Sequence, residues 1–192
     1  MPKKPIYTKD DILDIAYAMV REEGIEALSA RNLAKRMNTS TAPIFTAFSG
    51  IDEIVVELAK RAKALYSSYI SEGLSNPLPF KGAGMKYIEF AKDEPKLFKF
   101  LFMSDNTYVK DTDYLPGGDS NEGRVRTNLE QSHSIDSDTA RKIYNHLSIY
   151  AHGLAVLYAG QNSVFSDSET SRLMSEAFFA LKAYFGEDKQ GE

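Results

Sequence analysis

The sequence predicts an all-α protein, on three observations. Ser29 to Phe48 (SARNLAKRMNTSTAPIFTAF) reads as two short helices joined by a tight polar turn. Helix-length segments before and after it carry apolar residues at the 3.6-residue spacing of an amphipathic helix. The C-terminal third holds two long segments, 136–161 and 167–185, that are apolar over more than one helical stripe.

Each element has a local reason. Thr8–Glu23 places Ile12, Ile15, Ala16, Met19 and Val20 on one face, with Thr8 as cap, Asp10 and Asp11 at the positive end of the dipole and Gly24 as a left-handed stop. Ser29 caps the next helix, whose Leu33, Ala34 and Met37 face inward while Arg31, Lys35 and Arg36 stay wet. Asn38-Thr39 breaks it. Ser40 or Thr41 caps a second short helix with Pro43 in its first turn, where a missing N–H removes no intrahelical bond, and with Ile44 and Phe48 inward. Ser49-Gly50-Ile51-Asp52 reads as a capping box that opens a long helix from Ile51 to Gly73. Two prolines at 77 and 79 end it, and Phe80–Asp93 is helical, with Gly82 and Gly84 allowing close packing. Pro95 opens a short helix with Leu97, Phe98, Leu101 and Phe102 inward; 104–120 is loop-like, Asn121–His133 a weaker helix, and 162–166 a polar hinge between the last two helices.

Paired short helices with a tight turn match a helix-turn-helix, whose second helix enters the DNA major groove, although any small αα-corner shares the pattern. Residues 8–58 as a whole resemble the DNA-binding domain of the TetR family of bacterial repressors, through Ile12, Ala16, Gly24, Leu28, Ser29, Arg31, Leu33, Ala34, Ser40, Ile44, Phe45, Phe48 and Glu53, in order and without gaps. The FA…EP.LF…LF pattern around residues 90–102 resembles the start of that family's C-terminal domain. The resemblance implies about nine helices in two domains. Residues 1–50 would be the DNA reader and 51–192 the ligand-binding and dimerisation domain, joined by the helix from Ile51. It implies a homodimer on a palindromic operator, responsive to a small-molecule effector.

Composition is compatible with this. The net charge of −4 divides unevenly: residues 1–50 hold seven basic against six acidic residues, so the excess acid lies beyond them. A reader that docks through one helix needs a local basic face, not a basic whole. With no Cys there is no disulfide framework, thiol nucleophile or Cys-based metal site. The N-terminus is too short and polar for a signal peptide, and the most apolar stretch, 147–159, is interrupted by His152 and too short to span a bilayer. A soluble, cytoplasmic protein with no membrane association and no cofactor is expected.

At the expected DNA face, Thr39, Ser40, Thr41 and Ala42 open the reading helix, followed by Phe45 and Thr46. Hydroxyls can bond bases or phosphates, and Thr and Ala can touch thymine methyls; Ser40 can equally be no more than a cap. The family usually has Tyr where this chain has Phe45, a cation or His at Thr46, and Lys at Ile51, each commonly a phosphate contact. With those lost, anchoring is expected from Thr8, Arg31, Ser40, Thr46 and an N-terminal arm with Lys3 and Lys4.

The expected effector pocket, for a largely apolar or aromatic molecule, draws on Tyr66, Tyr87, Phe90, Phe98, Phe102, Met103, Tyr108, Tyr144 and Tyr150, with His146 and Tyr150 as the polar end. An aromatic stripe is more often ordinary core. The last two helices have more apolar surface than one subunit needs to bury, and the resemblance implies that they pair with a second copy in a four-helix bundle. Ala151, Leu154, Ala155, Tyr158, Met174, Phe178, Leu181 and Phe185 are the residues expected there. No metal site or enzyme is expected: His146 and His152 are six apart and not at the i, i+4 zinc spacing, and no P-loop, G-x-S-x-G or G-x-G-x-x-G occurs. The other functional reading is a helical adaptor or dimerisation protein whose DNA role is weakened or lost.

Overall fold

The computed structural model describes residues 7–104, 120–162 and 165–187, and these form nine α-helices, one 3₁₀ turn and no strand. Expected features at Lys3, Lys4, Tyr108 and the PGG break at 116–118 lie outside the described residues. The helices are α1 (Lys9–Glu23), α2 (Ala30–Arg36), α3 (Ala42–Ala47), α4 (Ile51–Leu74), α5 (Pro79–Asp93), α6 (Pro95–Phe102), α7 (Ser120–His133), α8 (Ser137–Ala159) and α9 (Asp167–Glu187).

The chain divides into two compact units, and the division falls inside α4. The first unit holds α1–α3, α4 up to Ala64, and α6 from Lys96; the second holds α4 from Leu65, α5 and α7–α9. α4 therefore contributes to both cores, while α6 joins the first unit although it lies far along the chain.

The first unit is built on α1. Thr8 and Asp11 form a capping box: the Thr8 hydroxyl accepts from Asp11 N, and the Asp11 carboxylate accepts from Thr8 N at 2.7 Å. Gly24 has φ +99° and ψ 168°, so it ends the helix with positive φ but extended ψ, not in the left-handed helical well. The chain then makes a 3₁₀ turn, Ile25–Ala27, that periodicity does not reveal. Ile12, Ala16, Val20, Leu33, Ile44, Ile54, Leu58 and Ala62 are fully buried together with Leu97 and Phe98 of α6. Each large aliphatic side chain so buried contributes about 1.5–3 kcal/mol.

In the second unit α5 and α8 form the main packed pair, with α9 on α8 and α7 against both α5 and α8. Asp136 caps α8, accepting from Asp138 N and Thr139 N, both at 3.2 Å. Gly73 and Gly82 bring α4 and α5 to backbone contact: a Cβ added at Gly82 would lie 2.2 Å from the Gly73 carbonyl oxygen. The tyrosines of this unit pack edge to face, with Tyr66 6.0 Å from Tyr87 and Tyr69 5.4 Å from Phe90 between ring centroids.

Candidate nucleic-acid interface and ligand cavity

The helix-turn-helix is held from beneath. Ser29 Oγ accepts from Asn32 N at 3.2 Å and starts α2. Asn38, at φ 52°, supplies the reversal after Met37, and Thr39 N returns to the Ala34 carbonyl at 3.0 Å. Tyr7 Oη donates to the Met37 carbonyl at 2.5 Å and ties the start of the described chain to this turn. Ile44 and Phe48 bury the inner side of α3, and Lys9 Nζ sits 4.6 Å above the Phe48 ring.

The outer side of α3 is open and carries no charge. Ser40, Ala42, Phe45 and Thr46 are exposed, Phe45 by 55%, while Thr39 and Thr41 are half-buried. Thr41 is the residue before α3 but makes no side-chain cap; Ser40 Oγ accepts weakly from Ala42 N at 3.4 Å. Thr46 Oγ1 donates back to the Ala42 carbonyl at 2.8 Å, leaving its oxygen lone pairs outward. Thr8 and Arg31 are exposed, and neither Arg31 nor Lys35 joins the ion pairs found among the described residues.

Several cations of this unit are paired at its surface, Arg36 among them. Arg36 bridges Glu22 and Glu23, Arg61 bridges Asp14, and Lys9 meets Glu53 at 2.6 Å. The Lys9 ammonium, then the Ser49 backbone and hydroxyl, lower the Glu53 carboxyl to a pKa of about 2. The box at the head of α4 thus closes on Glu53, not Asp52: Ser49 N and Oγ both donate to Glu53 Oε2, at 2.8 and 3.0 Å. One carboxylate thereby joins the start of α1 to the start of α4, an arrangement that spacing alone does not disclose.

The second unit has a partly open cavity of about 420 Å³ between α4, α5, α7, α8 and α9. Tyr66, Tyr87 and Tyr144, expected as pocket residues, do line it. The remaining expectations do not converge there. Phe90 is fully buried beside Tyr66 and Tyr69, and Phe98 and Phe102 pack on each other within the first unit. Met103 and Tyr150 are exposed, and His146 lies outward against Phe185 at 5.3 Å. The polar feature near Tyr87 is instead His152, whose Nδ1 is 2.8 Å from the Tyr87 hydroxyl. Burial pushes the Tyr87 hydroxyl pKa up and the His152 pKa down, so both stay neutral at pH 7. The sequence reading missed Ile70, Phe80, Leu147, Ser148 and the 77–79 segment as lining. The prolines at 77 and 79 were legible only as a break.

Within the subunit, the residues expected at a dimer interface differ in exposure. Ala151, Leu154, Ala155 and Met174 are buried within the subunit, and Ala151, Met174 and Phe178 line the cavity. Tyr158 is tied down by bonds from its hydroxyl to the Phe165 carbonyl at 2.9 Å and Thr170 Oγ1 at 2.7 Å. Leu181 and Phe185 are half-buried. The exposed apolar residues of the last two helices are Ile149, Tyr150 and Leu157 on α8, and Phe179 and Tyr184 on α9. Both helices are apolar on more than one face, and the subunit's own core buries one of them.

Among the described residues no cluster of His, Asp and Glu suits a metal ion, and no helix is long and apolar enough to cross a membrane. Three N-terminal helices ending in a helix-turn-helix, a long α4 and a second helical unit make up the fold seen in TetR-like transcriptional regulators. A TetR-like transcriptional regulator from Rhodococcus sp. RHA1 superposes with a TM-score of 0.66 at 14% identity, covering 96% of each chain. Apo ActR from Streptomyces coelicolor has a TM-score of 0.55 at 18% identity, covering 96% of this chain and 99% of its own. NalD from Pseudomonas aeruginosa, the secondary repressor of the MexAB-OprM multidrug efflux pump, has a TM-score of 0.52 at 13% identity, covering 90% and 94%. No family model and no curated protein sequence matches the chain.

Proposed function

We propose that this chain is a ligand-responsive, sequence-specific DNA-binding transcriptional regulator, acting as a repressor. As a homodimer it would place two α3 helices in successive major grooves of a palindromic operator. The observation that carries the reading is α3 itself: a helix-turn-helix with its inner face buried by Ile44 and Phe48 and an outer face of Ser40, Ala42, Phe45 and Thr46 left open. The relatives in fold, one of them a repressor by description, support it. Phe45 and Ala42 would meet thymine methyls, while Ser40, Thr46, Thr8 and Arg31 anchor the backbone, helped by Lys3 and Lys4.

The exposed large apolar residues Ile149, Tyr150 and Leu157 of α8 and Phe179 and Tyr184 of α9 support self-association through these two helices. A small, largely apolar effector in the cavity would press on Tyr66 and Ile70 of α4, the one helix shared by both units, and lower the operator-competent population.

A gel shift on DNA upstream of the gene tests the function. A specific shift competed by unlabelled fragment, lost on Phe45→Ala together with Ala42→Asp, is expected. No specific shift even at low salt refutes the regulator and favours a helical adaptor, a reading kept open by the absence of cations at Phe45, Thr46 and Ile51.

A further inference from the structure

The cavity of the second unit has a charge pattern that narrows its ligand. Its described lining contains no Asp or Glu; the one formal charge is Lys81, and the one further nitrogen base is His133. The Phe178 ring lies 4.6 Å from His133 and 5.9 Å from Phe80, the neighbour of Lys81. Lys182, one turn beyond Phe178, is near enough to help burial lower the His133 pKa. Neither Lys81 nor Lys182 joins the ion pairs found among the described residues, whereas carboxylates on the surrounding helices are engaged. Glu130 faces Arg126 at 4.0 Å, Glu176 faces Arg172 at 3.8 Å, and Glu89 holds Lys86 at 2.9 Å.

A cationic guest would meet no carboxylate and would bring its charge toward Lys81. A neutral guest would leave the Lys81 charge unanswered. At the Tyr87 side the phenol is already bonded to His152, so it offers a new polar group less than Lys81 does. At about 30 Å³ per heavy atom, the 420 Å³ cavity holds roughly fourteen atoms.

We propose that the cavity takes an amphipathic organic anion, a monocarboxylate on an apolar body of about ten to twelve carbons, with its head group at Lys81 and its body against Tyr66, Ile70, Leu147 and Met174. The proposal rests on reading this cavity as the effector site and names the effector's chemistry. The carboxylate gains a charge-assisted hydrogen bond from Lys81, and its chain displaces water from an apolar wall.

Calorimetric titration of the full chain with decanoate, decan-1-ol and decyltrimethylammonium compares three head groups on one chain length. Decanoate is expected to bind one per subunit, at least tenfold more tightly than either other probe. Lys81→Met should weaken decanoate about tenfold and leave decan-1-ol within twofold, as loss of one charge-assisted bond requires. Its melting curve, unchanged from the parent, shows that the fold is retained. Equal binding of decanoate and decan-1-ol, unaltered decanoate binding by Lys81→Met, or no binding of any probe overturns the proposal. The ligand-free protein's gel shift is read separately. A protein that shifts DNA but ignores the head group loses the anion site and keeps the regulator, and one that ranks the head groups but shifts no DNA does the reverse.

Discussion

Gly82→Ala tests the closest backbone approach in the second unit. A methyl at position 82 would lie 2.2 Å from the Gly73 carbonyl oxygen and 3.0 Å from both the Gly73 carbonyl carbon and Asn76 Cβ. Ordinary contact begins near 3.4 Å, so α4 and α5 must part by about 1.2 Å at a point where both partners are main chain and have no rotamer to change. Overpacking of this kind costs about 1–3 kcal/mol, against a gain of roughly 1 kcal/mol from replacing helical glycine with alanine. Because the neighbour is a rigid carbonyl, the cost should sit at the upper end, for a net loss of about 1–2 kcal/mol. In a chain of this length that lowers Tm by roughly 2–8 °C, read by circular dichroism at fixed protein concentration. The control is Gly123→Ala in α7, where an added Cβ meets nothing within 4 Å. It should raise Tm slightly through helix propensity alone. A Gly82→Ala protein that melts as high as the parent would refute the claim that α4 and α5 touch through their backbones. Since Ile70, residues 77–81 and Ala83 of this corner line the cavity, the same variant should also weaken decanoate binding.

Three further outcomes are expected. Thr46→Lys, placing a cation on the open side of α3, should steepen the dependence of operator affinity on salt by about one unit of log–log slope; an unchanged slope would show that position 46 does not face phosphate. Asp136→Ala removes the cap that serves two N–H groups of α8 and should cost about 1 kcal/mol by urea denaturation, with Asp136→Asn close to the parent. Glu53 has a folded pKa near 2 against an ordinary 4.5, so the unfolded chain binds the extra proton. Its contribution is present above about pH 4.5 and is lost as pH falls toward 2. Lys9→Ala should flatten that part of the stability curve, and an identical acid limb in the variant would count against the Lys9–Glu53 pair.

The helices themselves were legible because their signals are local. Thr8, Ser29 and Asp136 act as caps by bonding to backbone three residues away or fewer, and Pro43 and Pro95 mark helix starts by their own ring geometry. For the same reason the open face of α3 followed from Ile44 and Phe48: a helix of six residues has one inner side, and naming it names the other. What the sequence determined alone is therefore the order of helices and which side of α3 is left open. Tertiary packing decided which of several apolar stripes faces where. α8 and α9 are apolar on two faces, so burial of Ala151, Leu154 and Met174 in the subunit's own core, with Ile149, Leu157 and Tyr184 left outside, depends on neighbours distant in the chain. The same holds for α6, whose Phe98 serves the first unit's core, and for Lys81 and His133, 52 positions apart in the chain and both in the lining of one cavity. Periodicity shows how much apolar surface a helix has; only competition among all the helices for a shared interior shows which surface is covered.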